Sequence, residues 1–168
     1  MNEINQIEFS TESPVRRLVS NSFKFRLFLL WKLPLAWFAR LRVDQFDADA
    51  SVVSVPYGYL TKNPFRSMYF APLTMAAELA SGLHALDAVK RAPLPVGMLV
   101  IEMKASFLKK ATSRIYFKSN DAQLLEDTVK QCIVSGERTS CMVSTTGIDD
   151  TGSEVAKFWF TWTFKQKQ

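Results

Sequence analysis

The most regular alternation of apolar and polar positions lies at the end of the chain. From Glu154 to Lys165, Ala156, Phe158, Phe160, Trp162 and Phe164 share one side, while Lys157, Thr161, Thr163 and Lys165 share the other, which predicts a half-buried strand. Arg138–Ile148 is its expected hairpin partner across the turn Asp149-Asp150-Thr151-Gly152. Upstream, Leu99, Ile101, Met103, Ala105 and Phe107 are read as one face of a long strand. Thr112–Ser119 is the next strand, with Ile115 and Phe117 together. Between the two pairs, Asp121 to Ser135 carries Leu124, Leu125, Thr128, Val129, Cys132 and Ile133 at helical spacing, with Gly136 as its stop.

The first half is more varied. Residues 42–57 read as strand with a turn at Asp47-Ala48-Asp49, and Val53 and Val55 on one face. The segment TKNPFRSMYFAP is a loop by its Asn-Pro and its broken pattern. Pro72 to about Leu86 is a helix lined with Ala76, Ala77, Ala80, Ser81 and Gly82. Such a helix lies close to its neighbours and suits burial on much of its circumference, inside a sheet that wraps around it. The succession of elements fits a two-layer α+β domain.

Residues 1–12 are polar and expected to fray. Ser13-Pro14 marks a helix start that should run to about Leu33, where Pro34 interrupts it before a second short helix over Leu35–Leu41. Leu27–Ala39 is very apolar but split by Lys32, and it is shorter than the ~20 residues a spanning helix needs. The expectation is that Trp31, Trp37 and their neighbours cover the body of the domain. The alternative is a helix lying in a membrane interface, flanked by Arg26, Lys32, Arg40 and Arg42.

Composition narrows the chemistry. The 168 residues suit one domain with a short extension, divided here as 1–41 and 42–168. With six glycines and no GxGxxG, GxxxxGK[ST] or GxSxG string, dinucleotide folds, phosphate loops and nucleophile elbows lack support. One histidine and two cysteines cannot make a structural zinc site, so no metal and no cofactor is expected. Cys132 and Cys141 read as buried thiols of a reducing compartment, hence a cytoplasmic protein. The net charge of +5 is concentrated in residues 1–42, which hold seven Lys/Arg against three Asp/Glu. A nucleic-acid binder would spread its basic face across the fold, so no nucleic-acid partner is expected.

Among candidate residues, Glu78 stands out, because a carboxylate midway along a helix pressed into a sheet sits either on its one open stripe or at an interface. Partial burial would raise its pKa towards the range of a general base. Asn63, fifteen residues earlier, either orients a water or carbonyl or holds the turn before Pro64. The helix start at Tyr69–Pro72 offers backbone N–H groups that polarise a carbonyl. His84, the single histidine, points to a different side of the helix from Glu78. Lys109-Lys110 is either a solvated tight turn or a phosphate contact for a ligand such as coenzyme A.

From Leu41 to Phe164 the order of elements resembles the hotdog superfamily, in particular its PaaI-type thioesterases and an uncharacterised branch related to them. The segment NPFRSMYFAPLTMAAELA, Asn63 to Ala80, carries the likeness best. In the PaaI-type pattern an Asn precedes the helix, His-Gly-Gly opens it and an acidic residue follows; here Asn63 and Glu78 match, while Tyr69, Phe70 and Ala71 stand in place of His-Gly-Gly. The resemblance implies a curved antiparallel sheet around a long central helix, with the helical extension in front. It implies an acyl-CoA thioesterase with Glu78 as base or nucleophile, the Phe70 N–H at the oxyanion, and Asn63 positioning water or Glu78. Tyr69, Ala71, Lys109 and Lys110 would contact the acyl-CoA or related thioester. It also implies a homodimer or higher oligomer with shared sites; a non-catalytic acyl- or lipid-binding protein is the alternative, and peripheral membrane contact through the N-terminal helix a third.

Overall fold

The computed structural model describes residues 7–167. Helices α1 (Pro14–Ser20), α2 (Ser22–Lys32) and α3 (Pro34–Phe38) precede strands β1 (Arg42–Phe46) and β2 (Ser51–Val55). Then follow α4 (Phe70–Arg91), β3 (Val96–Phe107), β4 (Ile115–Ser119), α5 (Ala122–Ser135), β5 (Thr139–Asp149) and β6 (Glu154–Gln166). The strands form one antiparallel sheet in the order β1-β2-β4-β5-β6-β3. The sheet curves around α4, the arrangement of the hotdog fold.

Small side chains let α4 sit deep. Ala76, Ala77 and Ala80 are wholly buried, and the concave face opposite them is filled by Phe117, Phe158, Phe160 and Phe164. Polar groups trapped at this contact are satisfied across it. The Ser51 hydroxyl donates to the Ala80 carbonyl at 2.6 Å, and the Trp162 indole N–H donates to Ser81 Oγ at 3.1 Å. A Cβ on Gly82 would lie 3.3 Å from the Trp162 ring, so the Ser81-Gly82 step is shaped to that side chain.

Several elements depart from the sequence expectation for local reasons. The expected single helix to Leu33 is broken at Asn21, whose extended backbone ends α1 while its side chain accepts from Lys24 N at 3.0 Å and caps α2. The second short helix spans Pro34–Phe38 rather than Leu35–Leu41. It closes with the N–H of Leu41 on the Ala36 carbonyl and that of Arg40 on Trp37, a Schellman turn with Arg40 at φ 62 where glycine is usual. Helix α4 runs five residues past Leu86 and ends because Pro93 holds Ala92 extended. Strand β4 starts only at Ile115, so Lys109 and Lys110 belong to a longer connection and not to a tight turn.

The face read for β3 is also divided. The register slips between Val100 and Glu102, so Met98 and Val100 pair with Phe164 and Trp162, while Met103, Ala105 and Phe107 pair with Phe160, Phe158 and Ala156. Directly paired residues share a face, so the inward set changes from even to odd across the bulge. Leu99 therefore lies on the opposite face from Met103, Ala105 and Phe107.

Of the expected frayed start, positions 1–6 lie outside the described residues. Positions 9–12 are held: Ser10 N–H donates to the Arg91 carbonyl at 3.0 Å, and the Phe9 ring lies under Arg91 and Lys130. The Ser13 hydroxyl caps α1 and donates to the buried carboxylate of Asp87, which also pairs with Arg91 at 2.9 Å. Cys132 and Cys141 are both free thiols.

One glycine in the sheet has no room for a side chain. Gly147 on β5 pairs directly with Phe117 on β4, and a Cβ there would fall 2.4 Å from the Phe117 ring. Gly147→Ala is expected to lower unfolding free energy by about 1–3 kcal/mol, as overpacking does. Gly58→Ala, where a Cβ meets nothing within 4 Å, is the control expected to stay near wild type in the same urea titration.

Candidate functional site

Glu78 lies on the flank of α4 that meets α2 and α3. Met75, Leu79, Gly82 and Leu86 occupy the same face at helical spacing, and with Phe28, Lys32–Ala36, Met98 and Trp162 they line a groove of about 420 Å³. The walls are almost wholly apolar. Desolvation by them raises the Glu78 carboxyl pKa above its ordinary 4.5. No cation lies within ion-pairing distance of Glu78 among the described residues, although Lys32 lines the same groove. Glu78 stays open to solvent on one side, and the apolar walls on the other make its unpaired carboxylate hold a proton more readily than a fully solvated glutamate.

The other candidates gather elsewhere. Asn63, Tyr69, Phe70, Lys109 and Lys110 line a second, more open groove of about 580 Å³ at the N-terminal end of α4. Asn63 is the hub of the loop before the helix: its Oδ1 accepts from Phe65 N at 2.9 Å and Ser67 N at 3.2 Å, and its Nδ2 donates to the Met68 carbonyl at 3.2 Å. That amide holds the turn and with it the start of α4; it does not reach Glu78. Tyr69 N–H donates to the Thr61 carbonyl at 2.7 Å, which leaves Phe70 and Ala71 as the first amides of the helix. Neither has an acceptor within the helix. The Phe70 ring is half exposed and lies 4.7 Å from that of Tyr69.

Lys109 donates to Asp149 at 2.7 Å, and Asp149 also accepts from the amides of Thr151 and Ser153 and from the Thr151 hydroxyl. These donors hold the Asp149 carboxyl far below the usual carboxylate range, the Lys109 ammonium foremost. The Lys109 charge thus closes the β5–β6 hairpin. Lys110 makes no ion pair among the described residues. His84 is buried beside the Phe46 ring, and burial lowers its pKa.

Spacing along α4 decides how these parts combine. Glu78 is eight residues beyond Phe70, or about 12 Å along the axis at 1.5 Å per residue. Within one chain the two cannot flank a single carbonyl. Sequence reasoning found both but not the walls of the Glu78 groove, which come from α2 and α3, about forty residues earlier; only the row Met75, Leu79, Gly82, Leu86 signalled an apolar groove.

Residues 20–164 match the family described as a domain of unknown function, DUF4442. The chain belongs to the DUF4442 family. The DUF4442 match begins just before α2, so it takes in α2 and α3 as well as the sheet. No curated protein matches the chain. Among solved structures it is similar to PA5026 of Pseudomonas aeruginosa, a protein of unknown function called a probable thioesterase, at 18% identity and TM-score 0.70 over 86% of this chain and 96% of that one. OLEI01261 of Chlorobaculum tepidum, of unknown function, is similar at 16% identity and TM-score 0.74 over 87% and 94%. Thioesterase HI1161 of Haemophilus influenzae is similar at 9% identity and TM-score 0.62 over 87% and 91%. At these identities the likeness carries the fold, a hotdog fold that thioesterase-like proteins share.

The raised pKa makes Glu78 a stability liability with a definite sign. The folded state binds the proton more tightly, so stability is highest below the unfolded value of 4.5 and falls as pH rises through the folded pKa. Glu78→Gln is expected to raise Tm at pH 7, with the gain disappearing on titration below 4.5, read by thermal melts across that window.

Proposed function

We propose that this chain hydrolyses an acyl thioester, with acyl-CoA as the substrate class and Glu78 as the base. The observation that carries the reading is the unpaired Glu78 carboxylate, its pKa raised by desolvation, on the wall of an apolar groove that suits an acyl chain. In the proposed step the carboxylate takes a proton from water, and the water oxygen bonds to the thioester carbon. The Phe70 N–H donates to the oxyanion. The C–S bond then breaks, and the leaving thiolate takes the proton from Glu78, giving a carboxylic acid and a thiol. Asn63 serves by holding the turn that presents Phe70, and Lys110 is the basic residue left to meet a coenzyme A phosphate.

Because Glu78 and Phe70 of one chain stand about 12 Å apart, the reading requires a homodimer in which one chain supplies the base and the other the amide. Strand β3 supports that assembly. It is a sheet edge of twelve residues with no strand on its outer side among the described residues, and Leu99, Ile101, Met103 and Phe107 are all exposed on it. Unpaired edges of this length invite pairing with another copy. Light scattering at micromolar concentration is expected to give the dimer mass, and a monomer removes the shared site.

A non-catalytic acyl- or lipid-binding protein is the second reading. It is favoured by the half-exposed Phe70 and Tyr69 rings at the mouth of the groove where a thioester would have to enter. Turnover of an acyl-CoA panel separates the two. If Glu78 is the base, Glu78→Gln lowers hydrolysis by at least about a hundredfold, since general base catalysis contributes about 10²–10⁴. The acidic limb of the pH profile should vanish with it, while acyl-CoA binding changes little. Hydrolysis by Glu78→Gln at the wild-type rate refutes the role of Glu78; binding without turnover by the wild-type protein selects the second reading.

A further inference from the structure

Helix α2 is apolar on two opposite sides. Phe25 and Leu29 face the domain and are buried, whereas Phe23, Leu27, Leu30 and Trp31 face the other way. Leu33, Leu35 and Phe38 continue the exposed set along α3, and Trp31 is 82% exposed, Phe23 and Leu35 72% each. The expectation that this segment simply covers the domain therefore holds for one side only. Leu33 and Leu35 also edge the Glu78 groove, whereas Phe23, Leu27, Leu30, Trp31 and Phe38 line none of the cavities; so many large exposed hydrophobics in one short segment need an explanation that singly scattered ones would not.

The charges that the segment itself carries have one sign. From Ser13 to Val43 there are seven Lys/Arg and no Asp/Glu. Beside α2 lies a cavity of about 410 Å³ into which Arg26, Arg40, Arg42 and Arg114 converge over Phe25 and Trp37, with no carboxylate among its lining residues. Arg26, Arg40 and Arg42 make no ion pair among the described residues. Arg40 is held at φ 62, a backbone position that glycine fills with less strain, and it brings another cation to this cavity.

We propose that α2 and α3 dock this protein on an anionic lipid bilayer, with the apolar face in the interface and the unpaired cations of this segment, Arg26 and Arg40 among them, attracted to the lipid phosphates. The combination of apolar side chains with a surround of Lys and Arg is what an anionic interface selects. A second copy is a poor occupant, because a twofold contact through this face would set the unpaired Lys24, Arg26, Lys32, Arg40 and Arg42 of one copy against the same five of the other. No helix among the described residues is long and apolar enough to cross a membrane, so the helices lie along the surface.

The test is co-sedimentation of the full chain with vesicles of phosphatidylcholine alone and of phosphatidylcholine mixed equally with phosphatidylglycerol. Binding is expected only to the anionic vesicles and should weaken as salt rises. Phe23→Ser with Trp31→Ser should abolish it. Arg26→Gln with Arg40→Gly should weaken it by about thirtyfold, each cation near the surface contributing about fivefold. All four positions are exposed, so melts should show folded proteins; Arg40→Gly in particular suits its backbone. No binding to anionic vesicles, equal binding to neutral ones, or wild-type binding by folded variants overturns the proposal. So does a light-scattering mass that falls in the Phe23→Ser, Trp31→Ser protein, which would show a second copy on this face.

Discussion

The close approach of α4 to the concave side of the sheet governs the rest of the molecule. Four phenylalanines and Trp162 fill that concavity, so the helix facing them has room only for Ala76, Ala77, Ala80, Ser81 and Gly82. The polar atoms caught there are matched: Ser51 takes the Ala80 carbonyl and Ser81 takes the Trp162 indole. Without these bonds each group would carry the full penalty of burial, on the order of 1–3 kcal/mol. Beyond this contact α4 carries larger side chains, and Glu78 stands beside Met75, Leu79 and Leu86 on the flank that meets α2 and α3.

That flank would be open to water were it not for α2 and α3. Phe28 and residues Lys32–Ala36 wall the groove and remove solvent from one side of the carboxylate. The extension thus creates the electrostatic condition that makes Glu78 chemically interesting. The same short segment cannot bury everything it carries. A helix contributes one stripe to a packed contact, and α2 has apolar residues on both, so covering the groove leaves Phe23, Leu27, Leu30 and Trp31 outside.

Sequence pattern revealed which residues share a face better than it revealed what covers that face. The alternation of β6 is regular and its inward set, Ala156 to Phe164, is buried throughout. The same reasoning on β3 missed a bulge, because one extra residue at Ile101 resets the period without any change in composition. The Asn21 break was legible in principle, since Asn-Ser ahead of an apolar helix is a capping signal, but the apolar run on both sides masked it. Asn63 and Glu78 were legible as candidates. Their separation into two grooves was not, because the walls around Glu78 come from residues distant in sequence and the Asn63 bonds depend on a loop conformation with Arg66 at φ 59.

The two apolar surfaces left uncovered in a single chain differ in physical character. On the edge strand β3, Glu102 and Lys104 stand two residues apart and flank Met103. An antiparallel self-pairing centred on Met103 would put Glu102 opposite Lys104 of the partner subunit, twice over, and opposite charges facing across strands contribute roughly 0.2–1 kcal/mol per pair. That surface is complementary to itself in hydrogen bonding, apolar content and charge. The face of α2 and α3 has no such property: its backbone groups are used within the helices, and its charges are all positive. The proposed self-association would draw on the backbone edge of β3, whereas the proposed docking draws on side chains of α2 and α3, so the two call on different residues.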